Sequence, residues 1–238
     1  MKSLPNFYYE KKILKKGYKV IAGLDEAGRG ALAGPLVCAA VVFKGNFSEI
    51  IKQASKDQVK INDSKKLTEN KRKEAYSWIR KNAFSFGVGV SSVSEINRYG
   101  IAKATFSGFR RAIREVEKRA GRRVNFILID AFYVPYIEGI RMPKKTIRKA
   151  NRRTKKVKIE GRQLAIIHGD EKSFSIAAAS IIAKVYRDKI MKKISRLAAY
   201  KKYNWEKNKG YGTSDHLLAL KKFGLTKEHR SSFIHLKS

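Results

Sequence analysis

Residues 20–36 read V-I-A-G-L-D-E-A-G-R-G-A-L-A-G-P-L. An apolar run of strand-forming residues, Val20 to Leu24, stops on two adjacent carboxylates, Asp25 and Glu26. A loop containing Gly28, Arg29, Gly30 and Gly34 follows. Carboxylates at the end of a buried strand are costly unless something cationic lies against them. Paired acids beside a glycine-lined loop suit a hard divalent metal and a closely approaching backbone. A plain strand end followed by a turn explains neither the paired acids nor an arginine set between glycines.

The same theme recurs downstream. F-I-L-I-D (126–130) is a hydrophobic strand ending in Asp130, and a short apolar strand at 164–167 leads into His168-Gly169-Asp170. The chain has seven aspartates, and two of them, Asp25 and Asp130, terminate hydrophobic strands. If those strands are neighbours in one sheet, their ends converge, as sites in α/β sheets do. Asp170 precedes a helix, so helix capping is its competing role. Together Asp25, Glu26, Asp130 and Asp170 offer enough oxygen ligands for two Mg²⁺ or Mn²⁺ ions, each keeping waters and taking a substrate phosphate oxygen. No Cys/His cluster suits zinc. Asp188 lies eighteen residues beyond Asp170. Through helix, that separation is up to roughly 27 Å, so Asp188 is read as structural.

The rest of the chain sets the frame. Strands are expected at 20–25, 36–43, 84–90, 126–130 and 164–167. Helices are expected at 68–81 with Thr68 as N-cap, at about 102–119, from 173 to about 200, and at 215–223. This pattern predicts a mixed α/β sheet flanked by helices, with a helical C-terminal portion over about 190–238, all in one domain, 1–238. The net charge is +34, from 54 Lys+Arg against 20 Asp+Glu, which points to a polyanionic partner, most simply nucleic acid. Residues 141–163 carry eleven Lys or Arg and a single acid, Glu160. This run is either a solvated charge block or a nucleic-acid contact. Met1 to Lys19 has no uninterrupted apolar core, and 31–43 is too short to span a bilayer, so a cytoplasmic protein without membrane attachment is expected. Cys38, the lone cysteine, sits in apolar sequence and reads as a core residue.

Several motifs then occur in one order: D-E-A-G-R-G-A-L-A-G-P (25–35), D-S-K-K-L (63–67), I-D-A (129–131), G-D-E-K-S-F-S-I-A-A-A-S-I-I-A-K-V-Y-R-D (169–188), G-Y-G-T (210–213) and H-R-S-S-F (229–233). In this the chain resembles ribonuclease HII over about residues 10–235. The resemblance implies a ribonuclease H-like fold and two-metal hydrolysis of RNA within DNA-containing duplexes, with the metals on Asp25, Glu26, Asp130 and Asp170. Ribonuclease HIII differs in having a lysine between the glycines and an added N-terminal domain, so Arg29 favours HII. One departure stands out. Asp130 and Asp170 are forty residues apart, wider than the bacterial pattern, and the excess coincides with a basic insertion at about 144–162.

What the resemblance implies for substrate can be written residue by residue. Gly28, Arg29 and Gly30 read the ribose 2′-OH, because glycines allow backbone approach and backbone groups both donate and accept. Tyr211 packs on the sugar following the ribonucleotide, and Lys65 and Lys66 touch phosphates near the cut. The substrates are RNA/DNA hybrids and duplex DNA with embedded ribonucleotides, cut 5′ of the ribonucleotide to leave 3′-OH and 5′-phosphate ends by a protein acting as a monomer. Two other classes compete. A metal-independent ribonuclease would use a histidine acid–base pair, but nothing in the sequence pairs His168, His216, His229 or His235. A basic nucleic-acid-binding protein without catalysis would leave the strand-end acids without purpose.

Overall fold

The computed structural model describes residues 4–135, 137 and 162–234. Five strands form one mixed sheet: β1 Ile21–Ala27, β2 Leu36–Val42, β3 Ser85–Ser91, β4 Phe126–Asp130 and β5 Gln163–Ile166, in the order β3-β2-β1-β4-β5. The first three are an antiparallel meander, and β4 and β5 add in parallel on the other side of β1. β1 and β2 are almost wholly buried, as their unbroken apolar sequences require when both faces of a sheet are covered.

Helices α1 Tyr8–Leu14, α2 Phe47–Lys56, α3 Glu69–Asn82, α4 Val93–Ala120, α5 Phe174–Ser195, α6 Trp205–Asn208 and α7 Ser214–Phe223 complete the framework. One core gathers side chains of α2, α3 and α5 with one face of the meander, and a second gathers α4 with the other face. A satellite cluster of Tyr200, Tyr203, Trp205, Leu220 and Met191 holds the C-terminal helices to α5. The helices dock closely because glycines on the strands leave room. A Cβ on Gly23 would lie 2.3 Å from the Ser175 carbonyl carbon in α5, and one on Gly89 would lie 2.0 Å from the Gly108 oxygen in α4.

Local signals placed most boundaries. Thr68 caps α3 through the Lys71 amide, as its sequence position predicts. Ser92 and Glu95 form a capping box at the start of α4, nine residues before the expected start at 102. Gly100 (φ 78°, ψ 158°) breaks the helix there, which hides its first two turns from a periodicity argument. α5 ends at Ser195, short of 200, and a 3₁₀ turn at Ala198–Tyr203 takes over. α1 and α2 are additions to the sequence-based expectation, although Phe47, Ile50, Ile51 and Ala54 carry helical spacing behind the Asn46 cap. Of the basic insertion expected at about 144–162, all but Arg162 lies outside the described residues.

Candidate active site

The register of β1 against β4 pairs Leu24 with Ile129, so the next residues, Asp25 and Asp130, stand at the same end of adjacent parallel strands. β5 runs beside β4 and delivers the turn that carries Asp170. Asp130 Oδ1 accepts the Gly169 amide at 2.9 Å, tying the second acid to the third. Asp170 is not a helix cap: Ser173 does that work, accepting from the Ile176 amide. Ala131 (φ 61°) and His168 (φ 55°), which flank this junction, both sit in the left-handed region that non-glycine residues avoid. Such strain is tolerated where the surroundings over-determine the backbone, and it clusters at functional sites.

Asp25 is buried; its carboxylate accepts the Glu26 amide at 2.8 Å, and Ser180 of α5, whose hydroxyl donates to Ser64 Oγ at 2.9 Å, acts on it to lower its pKa. Burial pushes its pKa well above the usual carboxylate range, and the charges of Glu26 and Asp170 push the same way. Burial also raises Glu26; Arg29 opposes that rise and Asp130 adds to it. Asp170 is lifted to about 6, by burial first, then by Asp63 and Asp130, with Lys65 opposing. These acids therefore share one field and disfavour one another's ionisation. Among the described residues no three Asp, Glu, His or Cys side chains are drawn together into a finished coordination cage. Hard oxygen donors crowded at one sheet end still fit divalent ions of the Mg²⁺ class, which keep waters and take substrate oxygens instead of an all-protein cage. A cation there offsets the burial, and with it the mutual repulsion, that raise the pKa values of Asp25, Glu26 and Asp170.

The expected basic residues divide. Lys65 faces the acids: burial pulls its pKa down, but Asp63, Asp170 and Asp25 more than offset this and hold it up. Lys66 turns to Glu171 in an ion pair of 2.7 Å. Arg29 reaches back to Glu26 at 3.4 Å and lays its guanidinium 4.8 Å from the Phe132 ring centre. Asp188, assigned away from the site, pairs with Lys184 at 2.8 Å and Arg72 at 3.4 Å.

The glycine loop is held from beneath. A Cβ on Gly28 (φ 90°) would lie 1.9 Å from Arg187 Nε, so no other residue fits there. Leu32 and Ala33 amides donate to the Gly210 carbonyl at 2.8 and 3.1 Å, joining this loop to the one that carries Tyr211. The half-buried Tyr211 ring lies 5.2 Å from the Arg187 guanidinium and 5.6 Å from Lys184 Nζ. Through those amide bonds the loop that carries it is held against the glycine loop that follows Asp25 and Glu26.

The fold and site geometry agree with what similarity shows. A family model described as Ribonuclease HII matches residues 22–236. This chain belongs to the ribonuclease HII family. Ribonuclease HII of Caldanaerobacter subterraneus subsp. tengcongensis is 41% identical over 227 residues, covering 95% of this chain and 79% of the relative. Ribonuclease HII of Fusobacterium nucleatum subsp. nucleatum is 42% identical over 218 residues, covering 91% and 86%. The fold is shared with ribonuclease H2 from Pyrococcus horikoshii OT3 (TM-score 0.62, 24% identity, 90% of this chain and 93% of that one). It is also shared with Bst-RNase HIII in complex with Mn²⁺ (TM-score 0.62, 21% identity, 91% and 67%). As a family member the chain is a ribonuclease H, an endonucleolytic hydrolase, and the reading as a non-catalytic binding protein falls.

The sequence reading overlooked several residues here. Asp63, in D-S-K-K-L, is buried, caps the turn at Ser64–Lys66 and acts on Asp170 and Lys65. Ser180 and Arg187 lie in the motif at 169–188 and Arg230 in that at 229–233, but nothing local announces what they touch. The histidines require a correction. His216 and His229 are paired, Nε2 to Nε2 at 3.2 Å, although they are thirteen residues apart. Both are buried, at 0% and 2% exposure, and packed against Trp205 and Tyr203, so they cannot meet a substrate as an acid–base couple. No helix among the described residues is long and apolar enough to cross a membrane.

Proposed function

We propose that this ribonuclease hydrolyses the RNA strand of RNA/DNA hybrids and cuts 5′ of single ribonucleotides embedded in duplex DNA, leaving 3′-OH and 5′-phosphate ends, as a cytoplasmic monomer. The observation that carries this reading is the placement of Asp25, Glu26, Asp130 and Asp170 at one sheet end, beside a loop whose backbone is exposed at Arg29 and Gly30. Asp25, Glu26, Asp130 and Asp170 are the residues that hold two divalent ions, Mg²⁺ or Mn²⁺. Bound there, the ions supply an activated water and stabilise both the attacking and the leaving oxygen.

The remaining groups recognise and orient. Lys65, drawn to the acids, neutralises the scissile phosphate, and Lys66, exchanging Glu171 for substrate, meets a neighbouring one. The amides of Arg29 and Gly30 have no acceptor among the described residues, and both residues are exposed, so the loop offers donors to a ribose 2′-OH. Arg29 leaves Glu26 and its Phe132 shelf for the backbone of the ribonucleotide strand. Tyr211 supplies a flat face for the sugar that follows. The deciding experiment is cleavage of a duplex with one ribonucleotide, mapped at nucleotide resolution with and without divalent metal. A metal-dependent cut on the 5′ side is expected. Equal cutting of an all-DNA duplex, or 2′,3′-cyclic phosphate ends, refutes the reading.

A further inference from the structure

Arg230 is completely buried, and all of its side-chain hydrogen bonds go to backbone carbonyls. NH1 donates to Gly28 O at 2.7 Å and Arg29 O at 3.1 Å; Nε and NH2 both donate to Gly34 O, at 3.0 and 2.8 Å. Among the described residues no carboxylate lies within ion-pair distance of it. A second buried guanidinium, Arg187, is satisfied in the same way by Ala33, Pro35 and Lys209 carbonyls. Burial pulls the pKa of Arg230 down, and the like charge of Arg187 adds to that. Burying a cation without an acid beside it is expensive. A chain that only needed to fill this volume has cheaper apolar choices.

The carbonyls that Arg230 takes belong to the substrate-facing loop. Its own backbone is fixed as a strap across that loop: Gly34 N donates to Glu228 O at 2.8 Å, Arg230 N donates to Leu32 O at 2.8 Å, and Ala33 bridges His229. With the Gly28 and Arg29 oxygens drawn inward, the Arg29 and Gly30 amides are the groups left facing out. We propose that Arg230 is the positioning residue for ribose discrimination, aiming the Gly28–Gly30 backbone by holding its carbonyls. This rests on the reading above that the loop meets the 2′-OH.

The same strap reaches Tyr211. The Thr226 amide donates to His229 Nδ1 at 2.9 Å, which puts the proton of His229 on Nε2, 3.2 Å from His216 Nε2, and the Trp205 indole N–H donates to that same His216 Nε2 at 3.0 Å. That assigns the proton of His216 to Nδ1, which donates to Tyr211 O at 2.9 Å. Adjacent residues 229 and 230 thus register both recognition elements against each other. Lysine cannot replace the arginine: one ammonium point cannot span Gly28, Arg29 and Gly34 as a planar fork does.

The test compares affinities in Ca²⁺ for two duplexes, one with a single ribonucleotide and one all DNA, for wild type, Arg230→Lys and Arg230→Gln. Wild type should prefer the ribonucleotide duplex. In the variants that preference should fall by about tenfold, the weight of one aimed hydrogen bond, while all-DNA affinity stays put. A merely structural role lowers the competent fraction and weakens both duplexes equally, so equal weakening overturns the proposal, as does an unchanged preference in a folded variant. If wild type shows no preference, the loop reading itself has failed. Should both variants misfold, amide hydrogen exchange on the free wild-type protein decides: fast exchange at Arg29 and Gly30 is expected, and protected amides there overturn the proposal.

Discussion

Substituting Gly23 by alanine tests how tightly the acids depend on the docking of α5. A Cβ at this position would lie 2.3 Å from Ser175 C, 2.5 Å from Ile176 N and 2.6 Å from Ser175 Cβ, where ordinary contact begins at 3.4 Å. Strand and helix must therefore separate by about 1 Å, and neither side yields easily. β1 is hydrogen-bonded to β2 on one edge and β4 on the other. The start of α5 is clamped by the buried Glu10 carboxylate, which accepts from Ser173 Oγ at 2.6 Å, Ser175 N at 3.1 Å and Ser175 Oγ. Overpacking of this kind costs about 1–3 kcal/mol, less the roughly 0.5 kcal/mol or more that alanine recovers in backbone entropy. For a chain of this size the melting temperature should drop by about 1–10 °C. The functional loss should be larger. Asp25 is two residues from Gly23, and Ser180 of the displaced helix acts on its carboxylate. A 1 Å misplacement near reacting groups can cost about 100-fold in rate. Thermal unfolding and single-turnover cleavage of a ribonucleotide-containing duplex measure both effects. Gly30→Ala, where the Cβ meets nothing within 4 Å, is the stability control. Wild-type melting and cleavage rate in Gly23→Ala would refute the argument.

Three further outcomes follow from the site. Asp130→Asn keeps the acceptor for the Gly169 amide but removes a charge, so it should melt like wild type and bind duplex while cleavage is lost; near-normal turnover in saturating Mg²⁺ removes Asp130 from the ligand set. Tyr211→Ala should reduce cleavage at single ribonucleotides by about tenfold or more, in line with the loss of a stacking face, and an unchanged kcat/KM on that duplex ends the assignment. The histidine pair should make the protein sensitive to acid. Burial first, and His216 second, lower His229 to about 4, while the unfolded chain titrates near 6.5. As pH falls below 6.5 the unfolded state takes up the proton first, so up to about 3 kcal/mol of stability is lost on the way to pH 4. Urea midpoints at pH 8 and pH 5 should therefore differ more in wild type than in His229→Gln, and identical acid limbs in the two proteins contradict the buried neutral pair.

Much of this enzyme is written locally. A strand that ends in a carboxylate announces itself, because the polar end of a buried strand must meet a cation or solvent, and Asp25 and Asp130 are both of this kind. A Thr cap placed α3 for the same reason: the unpaired amides of a helix start need an oxygen nearby in sequence. The ordered motifs carried the family, and with it the expectation for Asp170, Gly28 and Tyr211. A break at Gly100 and the short length of α1 weakened the periodic signal, and those two elements were misplaced or overlooked.

Other features exist only after folding. That β4 lies beside β1, in the register that sets Asp130 next to Asp25, follows from how two covered sheet faces close, and no local pattern encodes it. Lys65 and Lys66 are adjacent and chemically equal, yet the backbone turn at Ser64–Lys66 sends one to the acids and the other to Glu171. His216 meets His229, and Arg230 finds carbonyls about two hundred positions away. A lone arginine or histidine in a sequence has no periodicity and no cap to betray it. Its partner is chosen by the packing of distant elements, which supplies the only oxygens able to satisfy it once water is gone.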